Sequence, residues 1–122
     1  MTRFLEWDYS EDDEGLGSFE AMASVGTKHW AAVQAEVAGV LAWAHAEFPD
    51  ACAPMDEGGE WDCALQGSQE HTTPLTVHFS PEAQALDVQA QAAAPSRYTL
   101  VLTLSGTLTF CQALREAFGL DV

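Results

Sequence analysis

Apolar and polar residues alternate with period two over most of this chain and switch to a helical period in two places. Leu5, Trp7 and Tyr9 alternate with Glu6 and Asp8, which predicts a short half-buried strand. Phe19, Ala21, Ala23 and Val25 alternate with Glu20, Met22 and Ser24, a second strand. Between them lies Glu11-Asp12-Asp13-Glu14, followed by Gly15-Leu16-Gly17-Ser18. Adjacent like charges repel and glycines cost backbone entropy, so this segment reads as an exposed loop joining a hairpin.

The pattern then changes. Trp30, Val33, Val37, Val40, Leu41, Ala44 and Phe48 fall on one face of a helix over about 28–48. Thr27 stands where an N-cap is expected, and Pro49 stops the helix. Trp43 lies off the apolar stripe, either under a loop or exposed as an interface marker. Residues 49–60 carry Pro, Gly and acids and read as a loop.

Alternation returns at Trp61-Cys63-Leu65, at Leu75-Val77-Phe79 and at Leu86-Val88-Ala90, with Ser80-Pro81-Glu82 as a turn signal. The third of these is weaker and suits an edge. Tyr98–Leu104 is the most apolar, β-branched stretch and suits a central strand. A last helix over about 110–118 is expected from a Thr109/Gln112 capping box and from Gly119 just past its end. The alternative for this region is a Ser105-Gly106 hairpin turn with one further strand over 107–110.

The order β-β-α-β-β-β-β-α, with short connections after the long helix, predicts antiparallel pairing. One sheet face needs a cover, and the long helix matches it in length. The expected fold is α+β: a two-layer sandwich whose mainly antiparallel sheet of five to six strands packs on one long helix and one short C-terminal helix. At 122 residues the chain is expected to form a single domain, 1–122.

Charge narrows the function more than any motif does. Nineteen Asp and Glu stand against four Lys and Arg, a formal net charge of −15. Arg3, Lys28, Arg97 and Arg115 are the whole basic supply. Nucleic acid and anionic membranes are therefore not expected as partners; the charge favours a basic partner or none, the alternative being a device for solubility. No apolar run reaches the length of a membrane span. The opening MTRFLEWDYSEDDE has no apolar signal core, and three widely spaced cysteines, Cys52, Cys63 and Cys111, suit reduced thiols. A cytoplasmic protein is expected, with a Cys52–Cys63 bridge as the oxidised alternative.

Candidate chemistry is sparse. With Thr109 as cap, Cys111 would sit at the second helical position, where backbone amides favour a thiolate, and His71 or His78 could serve as its base. The alternative is a small core residue. Cys52, Cys63, His71 and His78 could ligate zinc, but none forms the close ligand pair that structural zinc sites present. Glu60 and Asp62 flank Trp61 and would share a strand face, where two carboxylates can raise one pKa or hold a cation with Asp56 and Glu57. Gly15-Leu16-Gly17 begins a phosphate-loop pattern, but the acids before it would repel phosphate.

The expectation is a non-catalytic interaction module of inhibitor, immunity or adaptor type, presenting an acidic surface to a basic partner. The residues expected to carry it are Glu11, Asp12, Asp13, Glu14, Asp56, Glu57, Glu60 and Asp62, with Trp43 or Trp61 as aromatic anchor. The alternative is a small-molecule binder or enzyme with a pocket between helix and sheet near Cys111. No cofactor and no metal are expected, and the chain is expected to be a monomer or a homodimer.

Overall fold

In this computed structural model, which describes residues 2–49, 51–54 and 57–122, the elements follow in the expected order. They are β1 (Glu6–Glu11), β2 (Leu16–Gly26), α1 (Thr27–Glu47), β3 (Trp61–Glu70), β4 (Leu75–Ser80), β5 (Ala85–Ala90), β6 (Arg97–Thr107) and α2 (Leu108–Phe118). The fold is α+β and its pairing antiparallel, as expected. The strands divide into a four-stranded sheet, ordered β1-β2-β6-β3, and a separate β4-β5 pair.

β6 is the central strand that its composition predicts. It pairs with β2 along its whole length, Leu16 with Thr107 through Gly26 with Arg97. On its other side it pairs with β3, Trp61 with Gly106 through Glu70 with Arg97. Glu70 and Arg97 thus face each other across the end of a β3-β6 hairpin, and β4-β5 is an arm inserted in the connection. Backbone bonds from Gln91 N–H to the Pro74 carbonyl (2.9 Å) and from Ala94 N–H to the Thr72 carbonyl (2.7 Å) close the arm's base.

Period two sends successive side chains to opposite faces, and the register aligns like with like. Phe19 opposes Leu104 and Ala21 opposes Leu102 on one face, and all four are buried. The α1 residues Val33, Val37, Val40 and Ala44 close over them, completing the core. Glu36 of α1 reaches the N-terminal segment: its carboxylate accepts from the backbone N–H of Phe4 (3.0 Å) and Leu5 (2.8 Å).

At one end α2 seats on a glycine pair. Gly17 and Gly106 are register partners in adjacent strands. A Cβ on Gly106 would lie 2.6 Å from the Phe110 ring, and one on Gly17 would lie 2.6 Å from Cys111 Sγ. Bare backbone there lets the helix approach the sheet closely. The Phe110 ring then stacks on Trp61, 5.5 Å between centroids and 1° from parallel.

Helix boundaries depart from expectation by two residues or fewer. Gly26 is the α1 cap, so Thr27 is already helical, and it makes no side-chain cap bond. For α2 the cap is Thr107, whose hydroxyl accepts from Phe110 N–H (3.2 Å). The expected box at Thr109 therefore begins two residues late. The hairpin alternative at Ser105-Gly106 also gives way, because β6 runs straight through both residues to Thr107. Gly119 ends α2 in the left-handed conformation, as expected. Among the described residues no helix is long and apolar enough to cross a membrane.

Candidate functional site

Among the described residues, nothing covers the face of the sheet turned away from α1 and α2. Register places its rows directly. Ser10, Ser18, Ser105 and Asp62 form the first, Asp8, Glu20, Thr103 and Ala64 the second, and Glu6, Met22, Val101 and Gln66 the third. These rows carry hydroxyls and four carboxylates, Glu6, Asp8, Glu20 and Asp62. Open depressions run between them, one bordered by Asp8, Ser18 and Glu20 and another by Asp62, Thr103 and Ser105. The Ser18 and Ser105 hydroxyls lie 3.3 Å apart. Among the described residues the one basic side chain on this face is Arg97, at the far end, donating to the Ser24 hydroxyl and carbonyl (both 2.9 Å).

Both expected acidic loops lie at one end of the sheet. The β1-β2 turn projects beside the Leu16–Thr107 pair, and the strand β3 begins beside Gly106. Thr107 N–H bonds the Glu60 carbonyl (3.0 Å), tying the second loop to the same edge. From β1 to β3 this edge spans three strand spacings, about 14 Å.

The acids do different things there. Asp12 turns inward and holds its own loop, Oδ1 accepting from Glu14 N–H and Leu16 N–H (both 2.9 Å). Glu11 sits on the helix side, where it accepts from the Tyr9 hydroxyl (2.8 Å). The Arg115 guanidinium lies 4.1 Å over the Tyr9 ring. Asp13, Glu14 and Glu57 are exposed, and Glu60 and Asp62 are half-buried. Asp56 lies outside the described residues.

The aromatic anchors are revised. Trp61 is fully buried against Phe110, and its indole N–H donates to the Phe48 carbonyl (3.3 Å). A side chain with no exposed surface anchors α1, α2 and β3 to one another and is closed to a partner. Trp43 is half-buried, its ring wedged edge-on against Phe118 (5.5 Å) and Phe48 (6.2 Å). It packs where the two helices meet. Its position off the α1 stripe has a plain cause: α2 covers that flank.

Of the two readings of Cys111, the core residue fits the structure and the nucleophile does not. Cys111 falls two residues, about half a turn, deeper than expected because the cap is Thr107. It is fully buried, with Sγ 3.7 Å from the Gly106 carbonyl. Burial pushes its thiol above the ordinary range, against an opposing pull from the Arg115 charge. That is the reverse of an activated thiolate. His71 and His78 belong to the arm and its base, beyond the opposite end of β3. Ten residues of strand separate them from Cys111, about 30 Å.

The cavity between helix and sheet lies elsewhere, a groove of about 310 Å³ between α1 and β3 whose apolar lining is Val37, Ala38, Leu41, Leu65 and Leu100. Cys52 and Cys63 are both free thiols. Burial and the neighbouring Cys52 raise the Cys63 pKa. Among the described residues no group of His, Cys, Asp and Glu could hold a metal ion.

Comparison with protein-family models, with curated proteins and with solved structures finds no match. The site expected from the sequence takes in the loop acids with Glu60 and Asp62, but not Glu6, Asp8 and Glu20 of the sheet face. The signal was present: Glu6, Asp8, Glu20 and Asp62 occupy the polar phase of strands whose apolar phase is core.

Proposed function

We propose that this chain is a non-catalytic interaction module whose open sheet face, with the acidic turns at its end, receives a basic partner. One observation carries the reading. Asp8, Glu20 and Asp62 share the open face, and the exposed Asp13, Glu14 and Glu57 belong to the turns at its end. Opposite charge brought to such a face would steer encounter and fix orientation, with association that is fast and salt-sensitive. The hydroxyl rows between the carboxylates offer donors and acceptors for a polar, well-hydrated contact. Three free thiols accord with a cytoplasmic setting, which belongs to the same reading.

The test compares charge placed on and off this face. The immobilised chain is exposed to a lysate of its source and eluted with a salt gradient. Two variants lose the same charge: Asp8→Asn with Glu20→Gln on the face, and Glu116→Gln with Asp121→Asn away from it. A discrete basic protein should elute from the face variant at distinctly lower salt, and from the other variant at the salt required for the native chain. Equal elution from both variants, or retention of nothing discrete, overturns the reading.

A further inference from the structure

The β4-β5 arm exposes an apolar face that nothing among the described residues covers. Register pairs Leu75 with Ala90, Val77 with Val88 and Phe79 with Leu86, and all six project to one side. The opposite side carries Thr76, His78, Asp87 and Gln89. Leu75, Val77, Phe79, Leu86 and Val88 are between 52% and 63% exposed. That is a patch on the order of 500 Å², at the top of what monomers leave open. A two-stranded hairpin with both sides in water is also marginal by itself and needs a surface to rest on.

We infer that the surface is a second copy of this chain: each arm lays its apolar face in the other copy's groove between α1 and β3. Three observations select that occupant. The groove offers matching chemistry, Val37, Leu41 and Leu100 at its floor and Leu65, 52% exposed, at its rim. Area is sufficient, because one chain carries both pieces and a twofold axis makes two arm–groove contacts at once. Burying two arm faces and the two grooves under them passes the roughly 1,000 Å² that a specific interface needs.

Charge is the third. Two chains of −15 can meet only where acids are scarce. Residues 63–96, covering most of β3 and the whole arm, carry only Glu70, Glu82 and Asp87 of the nineteen. The exposed positions of α1 beside the groove, Gln34 and Ala38, are uncharged. The acidic region proposed for a basic partner lies at the other end of β3, so the two surfaces do not compete.

Sedimentation velocity of the native chain should give the mass of two copies, with dissociation weakening as salt screens the negative charge. Val77→Asp with Val88→Asp in the arm should yield monomers. So should Leu65→Asp at the groove rim. Circular dichroism should be native for both variants, since these side chains are exposed and outside the core. Mixing the two variants is the decisive arm. One dimer of unlike chains keeps an intact arm against an intact groove, so a dimer should reappear that neither variant forms alone. A monomeric native chain at its highest soluble concentration overturns the inference and leaves the arm to a different protein. A Leu65→Asp variant that stays dimeric overturns it too, in favour of arm packed on arm. Failure of the mixture to re-form a dimer likewise rejects the arm–groove contact.

Discussion

Cys111 and Tyr9 show how one local environment turns a candidate nucleophile into a structural residue. The thiol lies buried over Gly17, and the Tyr9 hydroxyl reaches the same spot, where a Cβ on Gly17 would come 2.5 Å from it. Burial raises both pKa values, and the bond to Glu11 adds to the rise at Tyr9. Both groups are neutral acids whose folded pKa exceeds the unfolded one. Their contribution to stability is fully present below the unfolded values, about 8.5 for a thiol and about 10 for a phenol, and is lost as pH rises through the folded values. The thermal midpoint should therefore hold level through neutral pH and fall from about pH 9 upward. Cys111→Ala should begin at a lower midpoint, because it opens a small void, yet fall less steeply in the first part of that range. Parallel curves for the two proteins would show that Cys111 ionisation is not linked to folding.

At the scale of elements, the seat of α2 is the feature most sensitive to a single atom. β6 passes beneath Phe110 as bare backbone at Gly106. Gly106→Ala would place a methyl 2.6 Å from the ring and 3.0 Å from the Glu60 carbonyl. Trp61 stacks on the other side of Phe110, so the ring has little room to retreat. The expected loss is about 1–3 kcal/mol, the ordinary cost of overpacking, read as a lower urea midpoint at unchanged slope. An unchanged midpoint would mean that α2 does not rest on this strand as described. The same elements show why some of the fold was legible and some was not. Period-two alternation marks a strand whatever covers it, so all six strands, both helices and the central place of β6 could be read from residue order. Leu75-Val77-Phe79 alternates just as Phe19-Ala21-Ala23 does. Whether the apolar phase meets a helix or water depends on long-range pairing that alternation does not encode. The arm was therefore expected within the sheet. The burial of Trp61 and the half-burial of Trp43 are not legible for a related reason: α2 supplies their neighbours from the far end of the sequence. The acidic face, by contrast, needed only the polar phase of the strands to be read alongside the apolar one.

The whole molecule is electrically lopsided along β3. Carboxylates gather at the end where β3 begins and on the sheet face beside it, and they thin out toward the arm. A net charge of −15 on one small domain repels itself, and the folded state holds those charges closer together than the unfolded chain does. Salt should therefore stabilise this protein. Raising sodium chloride from low to about 0.5 M shortens the screening distance to a few Å and should add on the order of 1 kcal/mol, a rise of several degrees in the thermal midpoint. The sign separates three effects that share one charge distribution. Folding and the contact between copies both gain from screening, because each brings like charges together. Binding of a basic partner loses by it, because opposite charges meet there. The measurement is a salt series read in three ways on the same preparation: thermal midpoint, sedimentation mass and partner elution. A midpoint that falls with salt would mean that attractive pairs outweigh repulsion within the fold, and that the acids are not held as an unneutralised surface.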